Sequence, residues 1–262
     1  MTTVALAFGP LRYALEGLSA EALPPVLRGY VVPAAEGDRR VTVTVAEVFA
    51  PPDPDAGRFG NGYWHATGET GDRVWVRPES ARWPGRGLLA ALSELVVRDA
   101  PSVEGLALHA AALRGGRGLV LVVAPPGTGK TTLARAAGPD GFAHNAVLVR
   151  DDGARALPFA GDPDAALDEA GVAPVTALVE LVRDGDVDAV GAAFEWAPRG
   201  RATTLGMKAC TRPQGRDPFA AQRAVIALRL LAPLPCARLR VCDPAAAWPV
   251  LQAALRAWES TS

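Results

Sequence analysis

The segment Leu119-Val-Leu-Val-Val-Ala-Pro-Pro-Gly-Thr-Gly-Lys-Thr-Thr132 decides how this chain folds. Its first residues form an unbroken apolar run far too short to cross a bilayer, so it reads as a buried strand. Pro126 and Gly127 end that strand, and Thr132-Leu-Ala-Arg-Ala-Ala137 continues as a helix. Between them, Ala124-Pro-Pro-Gly-Thr-Gly-Lys-Thr131 follows the pattern G-x-x-x-x-G-K-[ST] except at its first position, where Ala124 stands for glycine. In a strand, loop and helix of this kind the glycines let successive backbone N–H groups turn toward a phosphate. Lys130 reaches its outer oxygens, the Thr131 hydroxyl can ligate magnesium, and the helix N-terminus adds its dipole. Pro126, Gly127, Thr128, Gly129, Lys130, Thr131 and Thr132 are therefore the expected nucleotide contacts, with ATP or GTP and magnesium as the expected cofactors.

Upstream, Leu106-Ala-Leu-His-Ala-Ala-Ala-Leu113 and a Gly115-Gly-Arg-Gly118 turn place two strands around a hairpin just before the loop. Downstream, Ala146-Val-Leu-Val149 is a second strand that ends near Asp151 and Asp152, and Val175 to Val182 is a third, with Arg183-Asp-Gly-Asp186 as its turn. Asp217 followed by Pro218 predicts a helix cap, with Phe219, Ile226 and Leu230 on one face. A last strand from Ala237 to Val241 precedes a closing helix around Leu251, Leu255 and Trp258. Before all this, residues 1–80 read as short strands: Val41 to Phe49 alternates, Gly60-Asn-Gly62 is a turn signal, and Asp72 to Pro78 alternates again. Leu88, Leu89, Leu92, Leu95 and Val96 recur at helical spacing between them and the second half. The expected organisation is a β-rich module with its bridging helix over 1–100 and a nucleotide-binding α/β domain over 101–262.

The chain has 262 residues, 49% hydrophobic and 21% charged, the balance of a globular protein with room for a core. Its 27 basic and 28 acidic residues nearly cancel, which gives no reason to expect nucleic acid or an anionic membrane as partner. Cys210, Cys236 and Cys242 match neither a disulfide framework nor zinc-site spacing, so they are expected to be reduced thiols. The first residues carry neither a basic leader nor a sustained apolar stretch, and a cytoplasmic protein is expected. Tyr63, Trp64, Trp75 and Trp83 are expected mainly to pack in the core of the first half.

The order of Leu108-His-Ala-Ala-Ala-Leu113, the Gly-rich hairpin, the phosphate loop and Val149-Arg-Asp-Asp-Gly153 resembles the bacterial HPr kinase/phosphorylase family. It is more closely similar to the shorter HPr kinase-related proteins. The resemblance spans about residues 106 to 245 and is specific over roughly 106 to 153. It implies a phosphate loop on a mixed sheet like that of phosphoenolpyruvate carboxykinase rather than a plain doubly wound sheet. It implies that Asp151 and Asp152 supply magnesium coordination, Asp152 with Thr131, and the base that takes a hydroxyl proton, and that His109 stands near the phosphates. Asp151, Asp152, His109 and Lys130 are thus the catalytic candidates. The weaker likeness of Pro213-Gln-Gly-Arg-Asp217 puts Arg216 near the substrate phosphate, with Arg199, Arg201 and Arg212 as neighbours of the same kind. The family's glutamate-containing segment has no clear counterpart, and Glu180 reads as a structural strand residue. The implied activity is transfer of a phosphoryl group from ATP to a hydroxyl of a peptide, protein or small molecule, in a chain that could form homo-oligomers. The alternative is a nucleotide-binding regulatory or partner-binding module without transfer.

Overall fold

A computed structural model describes residues 2–45, 57–59, 63–68, 71–77, 86–143, 145–159, 172–184, 192–198, 200–211, 213 and 217–260. The chain is mixed α/β with mixed sheets, and it divides into two compact units: Met1–Asp99 with short pieces at 161–163 and 213–217, and the rest from Ala100 onward. No helix among the described residues is long and apolar enough to cross a membrane.

In the first unit, Thr3–Phe8 (β1) and Leu11–Glu16 (β2) make a hairpin through Gly9, whose φ of 66 a residue without Cβ adopts most readily. Val31–Val32 (β3), Arg39–Val45 (β4), Gly57–Phe59 (β5), Tyr63–Gly68 (β6) and Gly71–Val76 (β7) complete a seven-stranded sheet in the order β3-β1-β2-β4-β7-β6-β5. The alternation of the sequence is used as expected, since Val41, Val43, Val74 and Val76 all turn inward. The helix Arg86–Asp99 (α1) packs on β6 and β7 and buries Leu88, Leu92, Leu95 and Val96. Arg98, at its end, donates to both oxygens of the buried Asp72 at 2.8 and 2.9 Å, and His65 and Arg39 reach the same carboxylate at 2.9 and 2.6 Å. Burial alone would raise the Asp72 pKa, but these three partners hold it well below the usual carboxylate range. Of the aromatic residues singled out in this half, Tyr63 is buried and Trp75 half-buried; the side chain of Trp64 and the whole of Trp83 lie outside the described residues, as does the Gly60-Asn-Gly62 turn.

In the second unit the expected strand from Leu106 to Leu113 is two strands, Leu106–Leu108 (β8) and Ala110–Arg114 (β9), broken at His109. The Gly115-to-Gly118 hairpin joins β9 to Leu119–Val123 (β10) in antiparallel register. The helix Lys130–Ala136 (α2) is only two turns long, because Gly138 at φ 56 and Pro139 cannot continue it. Gly141–Ala143 (β11), Val147–Arg150 (β12), Gly153–Ala156 (β13), Val175–Arg183 (β14) and Ala192–Trp196 (β15) follow. Then come the helices Arg201–Ala209 (α3) and Ala220–Leu231 (α4), the strand Cys236–Val241 (β16) and the helix Trp248–Glu259 (α5). The predicted cap at Asp217 falls short: Phe219 is the capping residue, and α4 turns Ile226, Ala227 and Leu231 inward.

A six-stranded sheet, β11-β9-β10-β14-β16-β15, carries a core on each face, and β13-β12-β8 form a second, three-stranded sheet. Val120 and Val122 pack with Leu133 of α2 and Leu251 and Leu255 of α5. Leu119, Leu121 and Val123 pack with Ala202 and Leu205 of α3, Ile226 and Leu231 of α4, and Leu106, Val147 and Val149 of the small sheet. Strands β10, β14 and β16 are parallel, so the connections leaving them open on one edge, where α/β proteins place ligands. Cys210 and Cys236 are buried, Cys242 is half-buried, and none is in a disulfide.

Candidate functional site

Strand β10 runs into the loop Ala124–Gly129, and the backbone there turns as the glycines require: Gly127 has φ 80 and Gly129, the residue capping α2, has φ 110. A side chain at Gly129 would overlap the ring of Pro244, which opens the short 3-10 turn Pro244–Ala247 after β16. The loop is thus walled by the chain that follows another parallel strand. Thr128 donates its hydroxyl to the Pro125 carbonyl at 2.9 Å. Lys130 is 5% exposed and folds back, donating its Nζ to the carbonyls of Ala124 at 2.6 Å and Pro125 at 3.2 Å. Burial lowers the pKa of this ammonium group. Its partners are neutral carbonyls, so its charge is solvated by the loop without being neutralised. Thr131 is half-buried and Pro126, Gly127 and Thr132 are exposed at the mouth.

His109 occupies the break between β8 and β9. Its backbone N–H donates to the Ala209 carbonyl at the end of α3 at 2.8 Å, and its ring bonds to the Asn145 backbone carbonyl. Burial, and then the charge of Lys130, hold its pKa below the ordinary histidine range, while the Asn145 bond acts the other way. The structure therefore brings His109 and Lys130 within electrostatic reach of each other at one end of β10. Asn145, missed in the sequence, belongs to this group; only its place just before the strand β12 could have suggested it.

The structure does not bring Asp151 and Asp152 there. Strand β12 is antiparallel to β8, with Val147 opposite Leu108 and Val149 opposite Leu106. The start of β12, not its end, adjoins His109. The two aspartates form the turn into β13, on the order of 15 Å along the strand from Ala146. Asp151 is 67% exposed and pairs with Arg229 at 3.3 Å; Asp152 is 48% exposed and faces Arg150 at 3.4 Å. Both are solvated turn residues, and the base and magnesium roles expected of them have no geometric basis. Among the described residues no group of three or more His, Cys, Asp and Glu is placed to hold a metal ion.

Arg216, Arg199 and Arg212 lie outside the described residues. Arg201 is described, at the start of α3, where it donates to Glu180 at 2.6 Å, and Arg238 donates to the same carboxylate at 3.0 Å. Glu180 stands opposite Val123 in the β10–β14 pairing, one strand from the loop. Burial would raise its pKa, and the two arginines hold it below the usual range. No protein-family model matches the chain, and no curated protein matches it in sequence.

Proposed function

We propose that the chain binds the phosphates of a nucleoside triphosphate, ATP or GTP, in the loop from Ala124 to Thr131, and acts as a nucleotide-dependent binding or regulatory module. The observation that carries this is Lys130: a buried ammonium group held by two carbonyls of its own loop, with His109 beside it and, among the described residues, no carboxylate paired with it. A phosphate entering the mouth supplies the charge that the carbonyls lack, and charge-assisted bonds are the stronger ones. The positive φ angles of Gly127 and Gly129 and the loop's likeness to the HPr kinase-related proteins support the same reading. Magnesium would arrive with the nucleotide, held by its phosphate oxygens and the Thr131 hydroxyl.

Phosphoryl transfer by Asp151 or Asp152 is the weaker alternative, because both stand at the far end of β12. Calorimetric titration with Mg-ATP and Mg-GTP, wild type against Lys130→Ala, tests the binding; the variant should bind at least about tenfold more weakly. Absence of binding to the wild type rejects nucleotide recognition altogether. The same samples, incubated with a peptide panel and radiolabelled nucleotide, test transfer. Phosphopeptide formed by wild type and lost in Asp151→Asn or Asp152→Asn would overturn the binding-module assignment in favour of a kinase.

A further inference from the structure

Helix α3 buries Ala202, Leu205 and Gly206 and turns the stripe Arg201, Thr204 and Lys208 outward. Two adjoining depressions, open to solvent and of ≈ 440 and ≈ 730 Å³, lie along that stripe, and Thr204 and Lys208 line both. Each is in the range of about 300–1,000 Å³ typical of small-molecule sites. Glu180 lines the first of them and is already shared between Arg201 and Arg238. Lys208 has no acidic partner among the described residues. The larger depression is therefore chiefly apolar, with Met207 in its wall, and carries the single charge of Lys208 and the hydroxyls of Thr203 and Thr204 among the described residues.

We propose that this groove binds a small anionic molecule, one bearing a carboxylate or phosphate group, with Lys208 as its principal charge contact and Thr204 as a hydroxyl donor. Among the described residues the groove offers chiefly one unpaired cation, whereas a polyanion needs many, so a small anion is the better match. The groove also lies where a second ligand could meet the first. Glu180 is opposite Val123, the last residue of β10, and the other end of α3 gives the Ala209 carbonyl to His109. Anion binding here does not require that the loop bind a nucleotide, and the two can be separated.

Titration calorimetry of the full chain with citrate, and separately with inorganic phosphate, supplies the test, using wild type, Lys208→Glu and Lys130→Ala. At least one probe should saturate the wild type, weaken about tenfold or more in Lys208→Glu, and remain unchanged in Lys130→Ala. Citrate alone would assign a carboxylate ligand, phosphate alone a phosphorylated one. Lys208→Gln, which keeps the stem and removes the charge, gives the same comparison should Lys208→Glu unfold. Saturation by neither probe overturns the proposal. So does a loss that follows Lys130→Ala and spares Lys208→Glu, which places the anion in the loop. Mg-ATP titrated into Lys208→Glu keeps the outcomes distinct, since nucleotide binding there should match the wild type.

Discussion

His109 sits half-buried beside the Lys130 ammonium group, and both conditions penalise an imidazolium ion. Its folded pKa lies below the ordinary value of about 6.5, which the unfolded chain retains. The unfolded state binds more protons between those two values, so the stability contribution is complete above about pH 6.5 and is lost as the pH falls toward the folded pKa. A phosphate bound at the mouth adds negative charge near the ring and raises that pKa again, so binding takes up a proton. Nucleotide affinity should therefore increase as the pH is lowered from about 8 toward 6. The nucleotide titrates in the same range, and His109→Gln removes its share: titrations at several pH values should give a steeper dependence in wild type than in the variant. Equal slopes would mean that His109 does not sense the phosphate. The loop and Lys130 were legible in the sequence because their geometry is local, a strand, two glycines and a helix in unbroken succession. Asp151 and Asp152 were misplaced because their position depends on the direction of β12 relative to β8, a long-range pairing that no local pattern records.

Helix α3 shows what an element needs in order to be read. Its sequence, Arg-Ala-Thr-Thr-Leu-Gly-Met-Lys-Ala, offers one large buried side chain, Leu205, and a glycine in the middle, so no apolar stripe announces it. Gly206 is there because Leu231 of α4 fills the space its side chain would take. The helix is specified by its neighbour more than by its own residues. Strand β11, three residues between the stop after α2 and the start of β12, escapes periodicity for want of length. By contrast α1, α4 and α5 carry several apolar residues at helical spacing and were visible, although the cap of α4 was displaced from Asp217 to Phe219. Gly206→Ala tests the packing directly. The added methyl meets the fully buried Leu231, which has to move within a filled core, at a cost of about 1–3 kcal/mol. Urea denaturation should show a lower midpoint with an unchanged slope, and citrate or phosphate binding along α3 should weaken. A midpoint equal to the wild type would mean that α4 yields without strain.

Each of the two units has its own core, the first beneath the seven-stranded sheet and α1, the second on both faces of the six-stranded sheet. The candidate ligand groups Lys130, His109, Thr204 and Lys208 all belong to the second. The first unit holds instead the buried charge network around Asp72, in which Arg98 also bonds to Asp99 at 2.9 Å and Tyr13 donates its hydroxyl to Asp99 at 3.2 Å. Removing the cation from such a network leaves carboxylates buried without their partner, which costs about 3–5 kcal/mol. Arg98→Met, which keeps most of the stem, should therefore destabilise the first unit by that order and leave nucleotide affinity at the wild-type value. Differential scanning calorimetry can assign the effect. With separate cores the chain should melt in two transitions, one lowered by Arg98→Met and the other raised by Mg-ATP through its preference for the folded site. A single transition moved by both would show that the two units unfold together, and that Asp72 and Lys130, with no shared function, still share one folding equilibrium.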